Sequence, residues 1–148
     1  MNLEFFVPGI PAPGGSKRFV GFGKSTGRAI LIDAAGQRNK DWRALVGQCG
    51  HLAMQGDPVH ETGPLEVWVE FIMPRRKGDL RANGELKPSA PFYHITKPDA
   101  LKLTRSTEDA LTGVVWRDDS QIAREHVTKR YAAPGEATGA RIIIKSLT

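Results

Sequence analysis

Three carboxylates in the second half of the chain have the spacing for metal-assisted chemistry. Asp99 precedes a segment of helical periodicity that ends at Gly113, and Asp118 and Asp119 follow a short β-prone run. The helical segment would rise ~19 Å and an extended run to Asp119 would cover ~20 Å. A strand returning antiparallel beside the helix would therefore bring Asp118 or Asp119 next to Asp99.

Carboxylates that converge on a basic surface require a compensating cation. Hard oxygen ligands select Mg²⁺, with Mn²⁺ as a possible substitute, and such an ion binds a scissile phosphate, activates water and stabilises a leaving oxygen. The alternative is structural, with Asp99 capping a helix and Asp118-Asp119 forming a turn. Spacing alone leaves both interpretations open.

Other catalytic motifs fail on spacing. Gly23-Lys24-Ser25 lacks the earlier glycine of a phosphate-binding loop, so we expect no nucleotide cofactor. The four histidines show no paired zinc spacing, and only His94, beside the acidic residues, is a functional candidate.

One cysteine, Cys49, forms no internal disulfide, and no apolar run reaches the ~18–20 residues of a membrane span. We expect a cytoplasmic protein without a membrane partner.

The net charge of +5 arises in the second half of the chain. Residues 1–74 hold seven basic and seven acidic residues, whereas residues 75–148 hold fourteen basic and nine acidic residues. Segmented basic charge favours a polyanion-binding face. The candidate DNA-binding residues are Lys17, Arg18, Lys24, Arg28, Arg75, Arg76, Lys77, Arg81, Lys97 and Lys102.

Hydrophobic periodicity predicts short strands along the chain, interrupted by two helices. The clearest strand is Leu65 to Met73, which alternates over its whole length, and the clearest helix runs from about Gln37 to Met54. The segment from Arg75 to Pro91 has no periodicity and is expected to be a mobile loop. Shorter β-like runs are expected at 3–7, 29–32, 92–96, 114–116, 121–131 and 141–145, with Lys17-Arg18 on a loop. The predicted fold is α/β (α+β), one small domain over residues 1–148, with a mixed sheet and two main helices packed on it.

Two segments of the chain resemble the RusA-type Holliday junction resolvases of phages and prophages. The first runs from His94 through Lys97-Pro98-Asp99 to Arg105, followed by Asp109-Ala-Leu-Thr-Gly113 and Trp116-Arg-Asp-Asp-Ser-Gln121. The second is the basic N-terminal stretch from Gly9 to Arg18. The resemblance implies a homodimeric, Mg²⁺-dependent endonuclease that nicks four-way DNA junctions symmetrically, encoded by a phage or prophage.

Position by position, the resemblance implies that Asp99 and Asp119 are catalytic and hold the metal, with Asp118 as a further candidate ligand. It places the catalytic lysine of the family on Arg105, where a guanidinium keeps the positive charge but does not readily transfer a proton. The second aspartate of the family's Asp-x-Asp pair falls on Leu101, which cannot ligate a metal.

Leu101 leaves two functional hypotheses. The first is a junction endonuclease weakened at this position, and the second is a catalytically inactive junction-binding protein of the same fold. A separate structural hypothesis is that Leu101 is simply a core residue of its helix.

Overall fold

The computed structural model describes residues 1–14, 17–24, 27–33 and 36–148. Its helices are α1 (Gly36–Met54) and α2 (Ala100–Leu111). Its strands are β1 (Asn2–Pro8), β2 (Lys17–Phe22), β3 (Ala29–Asp33), β4 (Leu65–Met73), β5 (Ile122–Tyr131) and β6 (Gly139–Ser146). Short 3₁₀ helices lie at Lys77–Asp79 and Asp119–Gln121. In these ranges, no helix combines the length and apolar character needed to cross a membrane.

The main sheet is mixed, as the sequence predicts. Its strand order is β1-β6-β4-β5, with β4 parallel to β5 and antiparallel to β6, and β6 antiparallel to β1. Strands β2 and β3 pair separately as an antiparallel hairpin. The architecture is α+β, with the hairpin inserted between β1 and α1.

One face of the main sheet forms the core. Alternate residues of β4, beginning with Leu65 and Val67, are buried, and Ile142 and Ile144 of β6 are fully buried beside them. Because successive strand side chains point to opposite faces, the other face carries the residues between them, and it is open at Trp68 but covered at Glu66 and Ile72. Both helices supply buried residues to the same cluster, including Trp42 of α1 and Leu103 of α2.

Two buried hydrogen bonds join the helices side by side. The indole Nε1 of Trp42 donates to Thr107 Oγ1 at 3.1 Å. The Ser106 hydroxyl donates to Asn39 Oδ1 at 2.7 Å. All four residues are buried, so losing one partner would leave an unsatisfied polar group at a cost of about 1–3 kcal/mol.

The chain between α2 and β5 is a compact turn, and the strand expected at 114–116 is wrong. The Val114 and Val115 amides both donate to Leu111 O, at 3.0 and 2.9 Å, and the Gly113 amide donates to Trp116 O at 2.7 Å. Val115 and Trp116 are both fully buried, so consecutive side chains enter the core together. An extended strand would send them to opposite faces.

The segment at 92–96 lies along the outer edge of β5 without forming a full strand. Tyr93 makes an isolated bridge to Arg130. The His94 amide donates to Lys129 O at 3.1 Å, and the Tyr131 amide donates to Phe92 O at 2.9 Å. The expectation of a strand here is therefore wrong, although some of the backbone hydrogen bonds of a strand are present.

One further expectation, the loop at Lys17-Arg18, is wrong, and the segment from Arg75 to Pro91 is irregular as expected apart from short ordered features. Lys17 and Arg18 begin β2 instead of a loop. The segment from Arg75 to Pro91 contains a 3₁₀ helix and an isolated bridge between Leu80 and Leu86. Its backbone is closed further by the hydrogen bond from the Lys87 amide to Asp79 O at 2.8 Å.

We expect Gly139→Ala to destabilise the fold strongly. A Cβ at this position would lie 2.0 Å from the Val7 carbonyl oxygen, and φ is +151°. The clash separates β1 from β6, so urea unfolding should show a loss of more than ~3 kcal/mol. Gly78→Ala, with open space around the new Cβ, should change stability by less than ~0.5 kcal/mol. Equal stabilities for the two variants would contradict the close pairing of β1 with β6.

Candidate active site

A cationic cleft lies at the N-terminal end of α2, and we call it the Asp99 cleft. Its volume is about 570 Å³. Three cations and one carboxylate contribute to its lining, together with prolines and other apolar residues. The lining residues are Ile10, Pro11, Ala12, Pro13, Arg38, Met73, Pro74, His94, Lys97, Pro98, Asp99 and Lys102.

Lys129 of β5 holds the loop that leads into the cleft. Its Nζ donates to the carbonyl oxygens of Thr96 and Pro98, both at 2.7 Å. Burial lowers the pKa of Lys129, while the nearby Asp99 carboxylate opposes that shift. The ammonium group therefore fixes the backbone on both sides of Lys97. Nothing in the local sequence indicates this role, because it depends on how β5 lies against the loop.

His94 contributes a buried imidazole to the cleft wall. The residue is only 8% exposed, and burial followed by repulsion from Lys129 lowers its pKa. Its Nε2 lies 3.4 Å from Thr96 Oγ1. The ring packs near Tyr131, with centroids 4.8 Å apart. The buried His94 ring thus holds the loop against the protein at the edge of the cleft. Asp99, the nearby acidic residue in the sequence, lines the same cleft.

Asp99 occupies the N-cap position of α2, but its carboxylate is directed elsewhere. Within the described chain its side chain makes no capping hydrogen bond, and it pairs with Lys102 at 3.7 Å. Leu101 is 70% exposed, which rules out the hypothesis that it is a core residue. Arg105, one helical turn later, is also exposed. The first turns of α2 therefore present these side chains to solvent.

A second acidic group, Glu108, Asp119 and Glu125, lies near the other end of α2. Asp119 Oδ1 accepts hydrogen bonds from Thr112 Oγ1 and from Trp116 Nε1, the latter at 3.0 Å. Burial raises the pKa of Glu108 to about 9, with further contributions from Glu125 and Asp119. The raised pKa favours the protonated form of Glu108, which lies within hydrogen-bonding reach of Glu125. Neither glutamate is among the residues predicted from the sequence, since no motif or spacing indicates that they meet.

The expected meeting of Asp118 or Asp119 with Asp99 does not occur in the chain. Asp99 immediately precedes α2. Asp119 instead accepts a hydrogen bond from Thr112, which immediately follows α2. The helix between them, Ala100–Leu111, has 12 residues, and a helix of that length rises ~18 Å. Asp118 caps the following 3₁₀ helix by accepting from the Ser120 amide at 2.8 Å, and this backbone hydrogen bond lowers its pKa.

The residues present do not form a metal site in the described chain. No group of three or more His, Cys, Asp and Glu side chains in the described ranges is arranged to hold a metal ion. The carboxylates that the resemblance assigns to Mg²⁺ are separated by α2, and Leu101 supplies no oxygen. A metal held jointly by Asp99 and Asp119 of one chain does not fit this geometry.

The candidate DNA-binding residues have different surroundings. Arg75 is not available for DNA, because its buried guanidinium donates to Pro91 O and Ala132 O. Arg76 is half exposed and forms two hydrogen bonds with Asp79. The side chains of Lys17 and Arg18 lie outside the described set. The exposed candidates are Lys24, Arg28, Lys77, Arg81, Lys97 and Lys102.

The mixed sheet, the two helices on one face and the cationic cleft define a small basic α+β protein suited to a polyanionic ligand. The family profile of endodeoxyribonuclease RusA matches residues 8–145. The chain belongs to the RusA endodeoxyribonuclease family, whose nucleases act on Holliday junctions. A search of curated proteins finds no match.

Glu108 should make stability depend on pH. The folded protein keeps a proton on Glu108 up to about pH 9, whereas an unperturbed carboxyl loses it near 4.5. The folded state therefore binds more protons between these values, and the free energy of unfolding should fall as pH rises. We expect a decrease of roughly 1–3 kcal/mol between about pH 5 and 8.

Urea unfolding of Glu108→Gln at a series of pH values checks this assignment. The neutral amide should flatten the pH dependence and make the protein more stable than wild type at alkaline pH. Glu85→Gln, an exposed loop substitution, should keep the wild-type dependence. A Glu108→Gln profile parallel to wild type would show that Glu108 is already ionised in the folded state.

Proposed function

We propose that the protein is a Holliday junction endonuclease in which the DNA-binding surface is intact and hydrolysis is weakened. The observation that carries this proposal is the Asp99 cleft, which combines cations with the exposed Asp99 in a chain of the RusA family. Its ligand is the phosphodiester backbone of branched DNA.

The charges of the cleft support phosphate binding. Lys97 and Lys102 are exposed at its mouth, and Arg38 of α1 lines the same space. Lysine and arginine side chains that neutralise phosphates release counterions, which provides affinity independent of base sequence. In the proposal, Arg105 adds a guanidinium on the exposed face of α2 and stabilises charge on the phosphate, but it does not transfer a proton.

Two features support weakened hydrolysis. Leu101 supplies an aliphatic surface where the family pattern has an aspartate, and Asp119 lies at the far end of α2 from Asp99. The proposal keeps both Asp99 and Asp119 as catalytic carboxylates. Nicking assays on Asp99→Asn and Asp119→Asn measure their contributions separately.

Mg²⁺ dependence, symmetric nicking and a homodimer are parts of the same proposal. A four-way junction has two-fold related strands, and two-fold homodimers present the same surface twice. A homodimer would therefore place two Asp99 clefts against equivalent phosphates. Sedimentation of the free protein and of its junction complex measures the stoichiometry.

The second candidate function is junction binding without cleavage. The separation of Asp99 from Asp119 favours it, since no three side chains of the described chain are arranged to hold a metal ion. Incubation of a synthetic junction with Mg²⁺ or Mn²⁺ distinguishes the candidates. Nicks in the junction but not in a matched duplex support the endonuclease, and binding without nicks supports the second candidate.

Junction affinity should decrease steeply with salt through the cleft lysines. Each neutralised phosphate contributes about 0.9 to the slope of log affinity against log salt, so Lys97→Ala with Lys102→Ala should reduce the slope by about 2. Arg141→Ala with Lys145→Ala removes two exposed cations from the open face of the sheet and should leave the slope unchanged. Equal effects of the two pairs would exclude the cleft as the phosphate-binding surface.

Leu101→Asp should increase Mg²⁺-dependent nicking of junctions by about tenfold or more, since a ~1.4 kcal/mol gain in transition-state stabilisation is tenfold in rate. The new carboxylate would join Asp99 in the first turn of α2 and offer the oxygen ligands that hard cations prefer. Because Leu101 is exposed, the substitution buries no charge.

Gel analysis of a labelled junction measures this gain, and Asp99→Asn in the Leu101→Asp protein should abolish it. The matched Leu101→Asn variant has similar size but lacks the charge, and it should show a smaller gain. A folded Leu101→Asp protein that nicks no faster than wild type would show that position 101 does not limit hydrolysis.

A further inference from the structure

Ile95 is an exposed aliphatic side chain in an unusual setting. It is 90% exposed, whereas the preceding residue, His94, is 8% exposed. Two residues later, Lys97 lines the Asp99 cleft. Single exposed hydrophobic residues are common on proteins. Ile95 differs because the backbone on both sides of it is fixed and because Lys97, two residues later, lines the cationic cleft.

The backbone around Ile95 is held on both sides. Before it, the His94 amide donates to Lys129 O at 3.1 Å. After it, the Lys129 ammonium donates to the carbonyl oxygens of Thr96 and Pro98, both at 2.7 Å. One residue of β5 therefore binds the loop at three points. The β-branched Ile95 adds few rotamers of its own, so ordering it on a ligand loses little entropy.

Other apolar side chains are exposed in the same part of the sequence. Tyr93 and Phe92 are 61% and 55% exposed, and their rings meet edge to face with centroids 4.9 Å apart. Leu101, after the cleft residue Asp99, is 70% exposed. Apolar groups beside cations match a ligand that has both phosphates and accessible base faces.

We propose that Ile95 is a wedge that inserts against the base pairs at the branch point of a DNA junction. Apolar side chains, isoleucine among them, enter between base steps and partly unstack them when nearby cations hold the backbone. A branch point offers such a face because stacking is interrupted there, whereas continuous duplex must be opened first. Ile95 therefore contributes to the preference for junctions over duplex. This inference rests on the proposed function, since it needs junction binding through the Asp99 cleft.

The test uses a four-way junction with 2-aminopurine beside the branch point, in EDTA so that no strand is cut. Binding of wild type should increase the fluorescence, because unstacking relieves quenching. Ile95→Ala should lose most of this increase and bind the junction about fivefold less tightly, while its affinity for duplex stays within about twofold of wild type. Ile95→Met should retain the signal.

The control is Leu52→Ala, which removes another exposed aliphatic side chain, 67% exposed on α1. It should behave as wild type on both DNAs. An Ile95→Ala protein with wild-type fluorescence change and junction preference would overturn the wedge while leaving the proposed function in place. Failure of wild type to bind the junction at low salt would overturn the proposed function and the wedge together.

Discussion

The attachment of α2 to α1 is the constraint on which the rest of the structure depends. The hydrogen bonds of Trp42 with Thr107 and of Asn39 with Ser106 are buried between the helices. They fix the rotation of α2, so that its polar first turns face the cleft while Leu103 and Leu111 enter the core. The same rotation directs Glu108 toward Glu125 of β5. The length of the fixed helix then sets how far apart the two acidic regions lie.

Periodicity and stop signals predicted most of the fold. Strand β4 has the predicted bounds, and α1 and α2 differ from their predicted ends by only a residue or two. These elements are long and regular, so local pattern and tertiary packing agree. The strand predicted at 114–116 is wrong because local pattern and tertiary packing disagree there. Its β-prone residues bury consecutive side chains in a turn, and local pattern does not reveal that both Val115 and Trp116 enter the core.

Only those residues of the candidate site that lie close together in the sequence could be predicted from it. Lys97, Asp99 and Lys102 lie close together along the chain and were identified from the sequence. Three other residues depend on how β5 packs against α2 and against the loop before α2. They are Lys129, Glu108 and Glu125, and no short sequence motif indicates that packing. The predicted position of Asp119 was wrong because it assumed an extended chain after Gly113. The turn found there keeps Asp119 beside Thr112.

The loop segment along β5 covers an edge of the main sheet that would otherwise be open to other molecules. β5 is an edge strand of the main sheet, and the backbone of Phe92 and His94 pairs with its outer side. Unpaired edges invite strand addition from other molecules. Shortening this loop would expose the edge to aggregation whatever its effect on DNA. The length and path of the backbone in this region are therefore fixed by the strand edge that it covers.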